Sequence, residues 1–219
     1  MRWNYRFQNI QEFQPVFNPV TKSPSNAPRI LNQTMFDSGN NGGCQSACLF
    51  EDIERKFKAV IPYSTMREWY FAMDKFWNGS GEKIKRCLTY AQDFGVPVQL
   101  PDGRRGRVIV TNLQRIDANK TSFSAVRDAR IQNDFCHIAI GRKGSAFFSS
   151  MTGNLFDDYA IPQIHAMSVQ LKDDTTLLFQ NHWGKDWGKD GFGVVTRGKF
   201  GTMKVWECFL GDLTFIENK

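Results

Sequence analysis

One change of hydrophobic period constrains this chain more than any other feature of its sequence. Between Cys44 and Phe94 apolar residues recur every three or four positions. Leu49, Ile53, Phe57 and Val60 make one stripe, and Ile84, Cys87, Leu88 and Ala91 make another. These patterns predict helices from Cys44, over about 65–76, and over about 82–94 with Gly95 as the stop. After Pro101-Asp102-Gly103 the character is strand. Arg107–Thr111, Phe135–Ile140, His165–Leu171, Thr176–Gln180, Gly191–Thr196 and Met203–Phe209 are short β-branched or alternating runs between turns. A helical front and a β-rich back imply an α+β chain of two lobes, and its 219 residues suffice for one large domain or two small lobes. A cleft between lobes is a natural place for a site.

The five cysteines are odd in number and sparse, with no Cys-x-x-Cys pair. That is not a disulfide framework, and His137, His165 and His182 lack helical zinc spacing, so no metal site is expected. No run of 18 apolar residues exists, and the start Met1-Arg2-Trp3-Asn4-Tyr5-Arg6 is too polar for a signal-peptide core. A cytoplasmic or other reducing compartment is the expectation, with delivery by another route left open. The net charge of +6 names no partner. Arg104, Arg105 and Arg107 form the one dense basic cluster and carry no interleaved aromatics, which reads as a solvated turn and argues against nucleic acid.

Residues 14–43 are rich in Pro, Asn, Ser and Gly and peak at Ser38-Gly39-Asn40-Asn41-Gly42-Gly43, directly before Cys44. A cysteine where a glycine-rich loop enters a helix meets unpaired N–H groups that favour the thiolate. At the far end His165-Ala166 heads a strand. Sixteen residues later comes Asn181-His182-Trp183-Gly184-Lys185-Asp186-Trp187-Gly188, then Gly191-Phe192. A cysteine nucleophile needs a base for its proton and a third group to hold the imidazole, and Cys, His and Asn fill those roles.

In that order and with those neighbours the chain resembles the papain-like cysteine proteases. Gly43-Cys44 with Ile53-Glu54 is similar to the family's nucleophile and central helix, Asn78-Gly79-Ser80-Gly81 to its substrate-binding glycine segment, and Asn181-x-Trp183-Gly184 to its Asn-Ser-Trp-Gly run. The spacing of 121 residues from Cys44 to His165 and 137 to Asn181 lies close to the roughly 130–150 of the family. The resemblance implies a helical lobe at about 30–108 and an antiparallel β-barrel-like lobe at about 109–212, with the active-site cleft between them. It implies peptide-bond hydrolysis on protein or peptide substrates without a cofactor. Cys44 would attack as thiolate, ion-paired with His165, and Asn181 would orient His165. Gly79 and Gly81 would bind substrate backbone, and Trp183 would shield the His–Asn bond. Cys136, Ile164 and Ala166 would line a pocket that prefers an apolar residue second upstream of the cleaved bond.

The chain departs from the family at several places. Ser38 stands where the family has the oxyanion Gln, leaving Ser38, Asn40, Asn41, Gln33 or Gln45 as the second donor. Gln45 also replaces the Trp that follows the nucleophile, and Asn41 replaces a disulfide Cys. Two other readings remain open: a papain-like fold with impaired catalysis that binds proteins, and the same triad used for acyl transfer or deamidation. Residues 1–29 read as an N-terminal arm or short pro-like extension on a peptidase domain of 30–219. His182 reads as exposed or structural, and Cys48, Cys87 and Cys208 as packing residues.

Overall fold

The computed structural model describes residues 29–37, 43–76, 84–141, 165–201 and 203–218. The arm of residues 1–28, Ser38, Asn40, Asn41, Gly79, Gly81 and Ile164 lie outside the described residues.

Helix α1 (Thr34–Asp37) is one turn, followed by α2 (Cys44–Phe57), α3 (Tyr63–Phe76) and α4 (Ile84–Phe94). The sheet strands are β1 (Val96–Gln99), β2 (Arg105–Ile116), β3 (Phe135–Gly141), β4 (His165–Asp173), β5 (Thr176–Gln180), β6 (Phe192–Thr196) and β7 (Lys204–Glu217). A helix, α5 (Phe123–Gln132), separates β2 from β3, and the single turn α6 (Arg197–Phe200) precedes β7.

Helix α2 is the axis of the helical part. Every residue from Gln45 to Glu54 is buried, so the helix is surrounded rather than laid on a surface. That burial gives its acidic residues specific partners. Glu54 takes a bidentate pair from Arg29 (2.6 and 3.1 Å) and the Ile61 N–H at 2.8 Å, while Glu51 accepts from the Leu31 N–H at 3.1 Å. Both carboxyls are pushed up by burial. Phe36, Phe50, Trp69, Tyr70 and Tyr90 pack edge to face around α2 and α3 at 5.3–5.9 Å between ring centres. Such pairs add about 0.5–1.5 kcal/mol each beyond the area they bury.

The seven strands run in the order β1-β2-β7-β3-β4-β5-β6, all neighbours antiparallel. The sheet is open, with β1 and β6 at its edges, so the barrel-like expectation does not extend to closure. Alternation along β3 sorts side chains to two cores. Phe135 and Ala139 join the helical core with Val96, Val108, Leu213 and the residues of α2–α4. Cys136, Ile138 and Ile140 join a second core with Met167, Val169, Phe179 and Val195.

Helix α5 is the one long element absent from the sequence expectation. Its cap is Ser122, whose Oγ accepts from the Ala125 N–H at 3.1 Å, and it buries Phe123, Val126 and Ala129 against the second core. That Ser followed by apolar residues three apart is the signal that marks it.

Candidate functional site

Cys44 is the first residue of α2, at the start of the buried helix, and is half-buried. Gly43, just before it, has no room for a side chain: a Cβ there would lie 2.9 Å from both Asp37 Cβ and the Phe36 ring. The backbone can therefore press against α1, and Gly43 N–H reaches Asp37 Oδ2 at 3.4 Å. His165 opens β4 and is 7% exposed, and Asn181 follows β5 and is fully buried.

These residues from distant parts of the chain meet. His165 Nε2 donates to Asn181 Oδ1 at 2.9 Å, which places the imidazole proton on Nε2 and leaves Nδ1 as the nitrogen to meet the thiol. Cys44 Sγ and nitrogens of His165 and His182 lie within 4.8 Å of one another. The Trp183 ring packs on His165 at 4.7 Å and meets Trp187 edge to face at 6.2 Å, so aromatic carbon covers the imidazole.

The Asn181 loop is fixed from two sides. Asn181 N–H donates to Gly191 O at 2.9 Å, and Asn181 Oδ1 also accepts the His182 N–H at 2.9 Å. Gly191 sits at φ +88° with its Cα facing Ile30, where a Cβ would come within 2.5 Å of Ile30 Cγ2. Both facts require glycine. Residues 31–33 then pair with 182–184: Gln33 N–H donates to His182 O at 2.9 Å and Gly184 N–H to Leu31 O at 3.2 Å. The segment leading to Cys44 is thus laced to the loop that holds Asn181. Nothing in the sequence marked residues 31–33 for this.

A second feature missed by sequence lies beneath the site. His137, fully buried on β3, donates from Nε2 to Asp52 Oδ2 at 2.8 Å and accepts on Nδ1 from the Gln45 side-chain amide at 2.6 Å. Asp52 also accepts from Ser168 Oγ at 2.7 Å and Gln170 Nε2 at 3.2 Å, and pairs with Arg55, which reaches on to Gln180 Oε1. A hydrogen-bonded rail therefore runs from the residue after Cys44 to the residue before Asn181. Burial pushes the Asp52 carboxyl up, but Arg55, His137 and Arg130 outweigh it and hold it at about 2.

Electrostatically the pocket favours neutral imidazoles. Burial drives His165 down to about 4, against the upward pull of its bond to Asn181. His182 is also held well below its ordinary value, by burial first and then by His165 and His137. Burial thus opposes the imidazolium half of the ion pair expected between Cys44 and His165, while the bond to Asn181 favours it.

Several expectations are corrected by the packing. Cys136 does not face the cleft: it lies in the second core with its Sγ 3.7 Å from Cys208 Sγ. One-residue alternation puts Ala139 on the other face, where it is the register partner of Ala166, and both are buried in the helical core. Of the two readings of His182, exposed or structural, full burial removes the first. Gln45 is turned inward onto His137, so its amide is not directed at substrate. Cys48, Cys87 and Cys208 are buried packing residues as expected, and no disulfide joins any of the five cysteines.

No protein-family model matches the chain, and no curated protein matches it. Among solved structures, the chain is similar to the Carica candamarcensis cysteine protease CMS1MS2 in complex with E-64. The likeness covers 84% of this chain and 92% of that one at 17% identity, with a TM-score of 0.56. At that identity the likeness speaks for the fold: α2 through α4 against an open antiparallel sheet is a papain-like, two-lobed α+β architecture.

Proposed function

We propose that the protein is a cysteine peptidase that hydrolyses peptide bonds through Cys44, His165 and Asn181. The observation that carries this reading is the 2.9 Å bond from His165 Nε2 to Asn181 Oδ1 with Cys44 Sγ in reach of the same imidazole. Asn181 fixes the tautomer in which Nδ1 can take the thiol proton. The sulfur then attacks the scissile carbonyl, and His165 returns the proton to the leaving amine. Water repeats the sequence on the thioester. Burial holds the His165 imidazole towards its neutral form, which suits a general base to the thiol.

The Cys44 backbone N–H supplies one oxyanion donor at the start of α2. Of the side chains expected to supply another, Gln33 is the remaining described one: it is buried, its N–H donates to His182 O, and its Nε2 donates to Asp37 Oδ2 at 3.3 Å, so serving an oxyanion would require its second amide proton or release of that bond. A preference for an apolar residue second upstream of the cleaved bond rests on the resemblance alone; Ala166, one of the residues expected to line that pocket, is buried in the helical core opposite Ala139.

The test is incubation with a peptide library and mass spectrometry of the products. Internal cleavage that is lost in Cys44→Ala, with apolar residues enriched at that position, is the expected result. Mass gains or one-dalton deamidation without cleavage would replace the reading with acyl transfer or amide hydrolysis. No product at all would leave the fold as a binding module.

A further inference from the structure

His182 has no part in the chemistry proposed above, and its surroundings are unusual for an imidazole. The ring is fully buried, and among the described residues neither nitrogen has a hydrogen-bond partner. A buried polar group normally finds one, so each exception calls for an explanation. The ring lies 4.9 Å from that of His165, and a nitrogen of each histidine and Cys44 Sγ fall within 4.8 Å of one another.

We propose that Cys44, His165 and His182 form a binding site for a zinc ion, and that zinc bound there holds the catalytic centre inactive. The inhibitory half of this proposal rests on the peptidase reading; the binding half stands without it. One thiolate and two neutral imidazoles are a donor set that zinc takes, and three protein ligands leave a fourth position for water. With Zn–S at about 2.3 Å and Zn–N at about 2.0–2.1 Å, tetrahedral ligands sit about 3.4–3.6 Å apart. Ring rotation and shifts of about an ångström from the present separations would close the site. The bond from His165 Nε2 to Asn181 Oδ1 supplies the outer-shell partner that leaves the Nδ1 lone pair for the metal. Half-buried Cys44 stands at the open side, so the ion enters past it and keeps its water there. On binding, the Cys44 thiol proton leaves to solvent, and the sulfur and Nδ1 lone pairs go to the metal. Nucleophile and base are then both occupied until a chelator removes the ion. Spacing along the chain hid the cluster, because its three ligands come from α2, β4 and the loop after β5.

The experiment titrates the full metal-free chain with Zn²⁺ against a chromogenic chelator, and with Co²⁺ as a spectroscopic probe. One ion per chain is expected, with a thiolate-to-cobalt charge-transfer band and the intense visible bands of a tetrahedral site. Cys44→Ala should lose the charge-transfer band, and His182→Asn should weaken Zn²⁺ binding about 100-fold or more, since even outer-shell losses cost 10–100-fold. His182→Gln serves where the asparagine variant does not fold. Wild-type affinity no tighter than that of Cys44→Ala, or a folded His182 variant with unchanged affinity, overturns the proposal. Zinc that binds as described to a chain that cleaves no peptide refutes the peptidase reading and leaves the site standing. Peptide cleavage indifferent to zinc and chelator does the reverse.

Discussion

Replacing Asp52 by alanine probes what holds the two halves of the proposed triad in place. The carboxylate is 2% exposed and is the hub at which α2 meets β3 and β4, through His137, Ser168, Gln170 and Arg55. Its descent from 3.8 to about 2 in the folded protein corresponds to about 2–3 kcal/mol of stability. Alanine also strands buried donors on His137 and Ser168, at about 1–3 kcal/mol for each left unsatisfied. Water entering the vacated space recovers part of that. The expected loss is about 3–5 kcal/mol, the range for breaking a buried pair from one side, against a usual total of about 5–15 kcal/mol. Urea unfolding followed by circular dichroism at pH 7 measures it. The pH dependence carries a sign. Because the folded pKa lies below the unfolded one, the charge contribution of Asp52 is full above about pH 3.8 and is lost as pH falls towards 2. The gap between wild type and variant should therefore narrow over that interval. A loss under about 1 kcal/mol at pH 7, or a gap that stays constant down to pH 2, refutes the assignment of Asp52 as the hub.

Other consequences follow from the site geometry. Asn181→Ala removes the bond that orients His165 and should lower kcat about 10–100-fold, the kinetic equivalent of about 1–3 kcal/mol, with KM little changed; an unaltered kcat would remove Asn181 from the triad. Gln33→Ala should lower kcat about 10²–10³-fold if its amide serves the oxyanion, and a change confined to KM would assign it to packing. The stability difference between wild type and His165→Ala should fall by about 3 kcal/mol as pH drops from about 6.5 to about 4, since the unfolded chain then protonates a His165 that the fold keeps neutral. A difference that stays flat over that window would contradict the buried, neutral imidazole. Ala139→Phe puts a ring at a buried core position and should cost about 1–3 kcal/mol in urea unfolding, and Cys136→Ala should leave the library profile unchanged; a shifted profile would restore Cys136 to the cleft.

Much of this architecture was legible because it is written in local patterns. Helices α2, α3 and α4 follow from apolar stripes, and Thr176–Gln180 appears as β5 with the bounds its composition suggested. The proximity of Cys44, His165 and Asn181 could be expected because each stands in a short run of unusual residues. The parts that escaped depend on relations between segments. Whether Cys136 or Ala139 packs towards the helices is a matter of strand parity, and a count along the sequence does not reveal which of the two cores a residue joins. The rail from Gln45 through His137 and Asp52 to Gln180 joins four elements with no common motif. His182 stayed open between an exposed and a structural reading because adjacency to Asn181 in sequence says nothing of the packing of the His165 ring against it.

The central claim is that Cys44 is an activated nucleophile rather than one more buried thiol. It is tested most directly by treating the folded protein with a thiol-directed epoxide and mapping the adduct by peptide mass spectrometry. One adduct on Cys44 is expected, formed slowly in His165→Ala, with Cys48, Cys87, Cys136 and Cys208 untouched because all four are fully buried. No adduct on Cys44 in the folded protein, or labelling of Cys44 at the same rate in wild type and His165→Ala, would contradict the account.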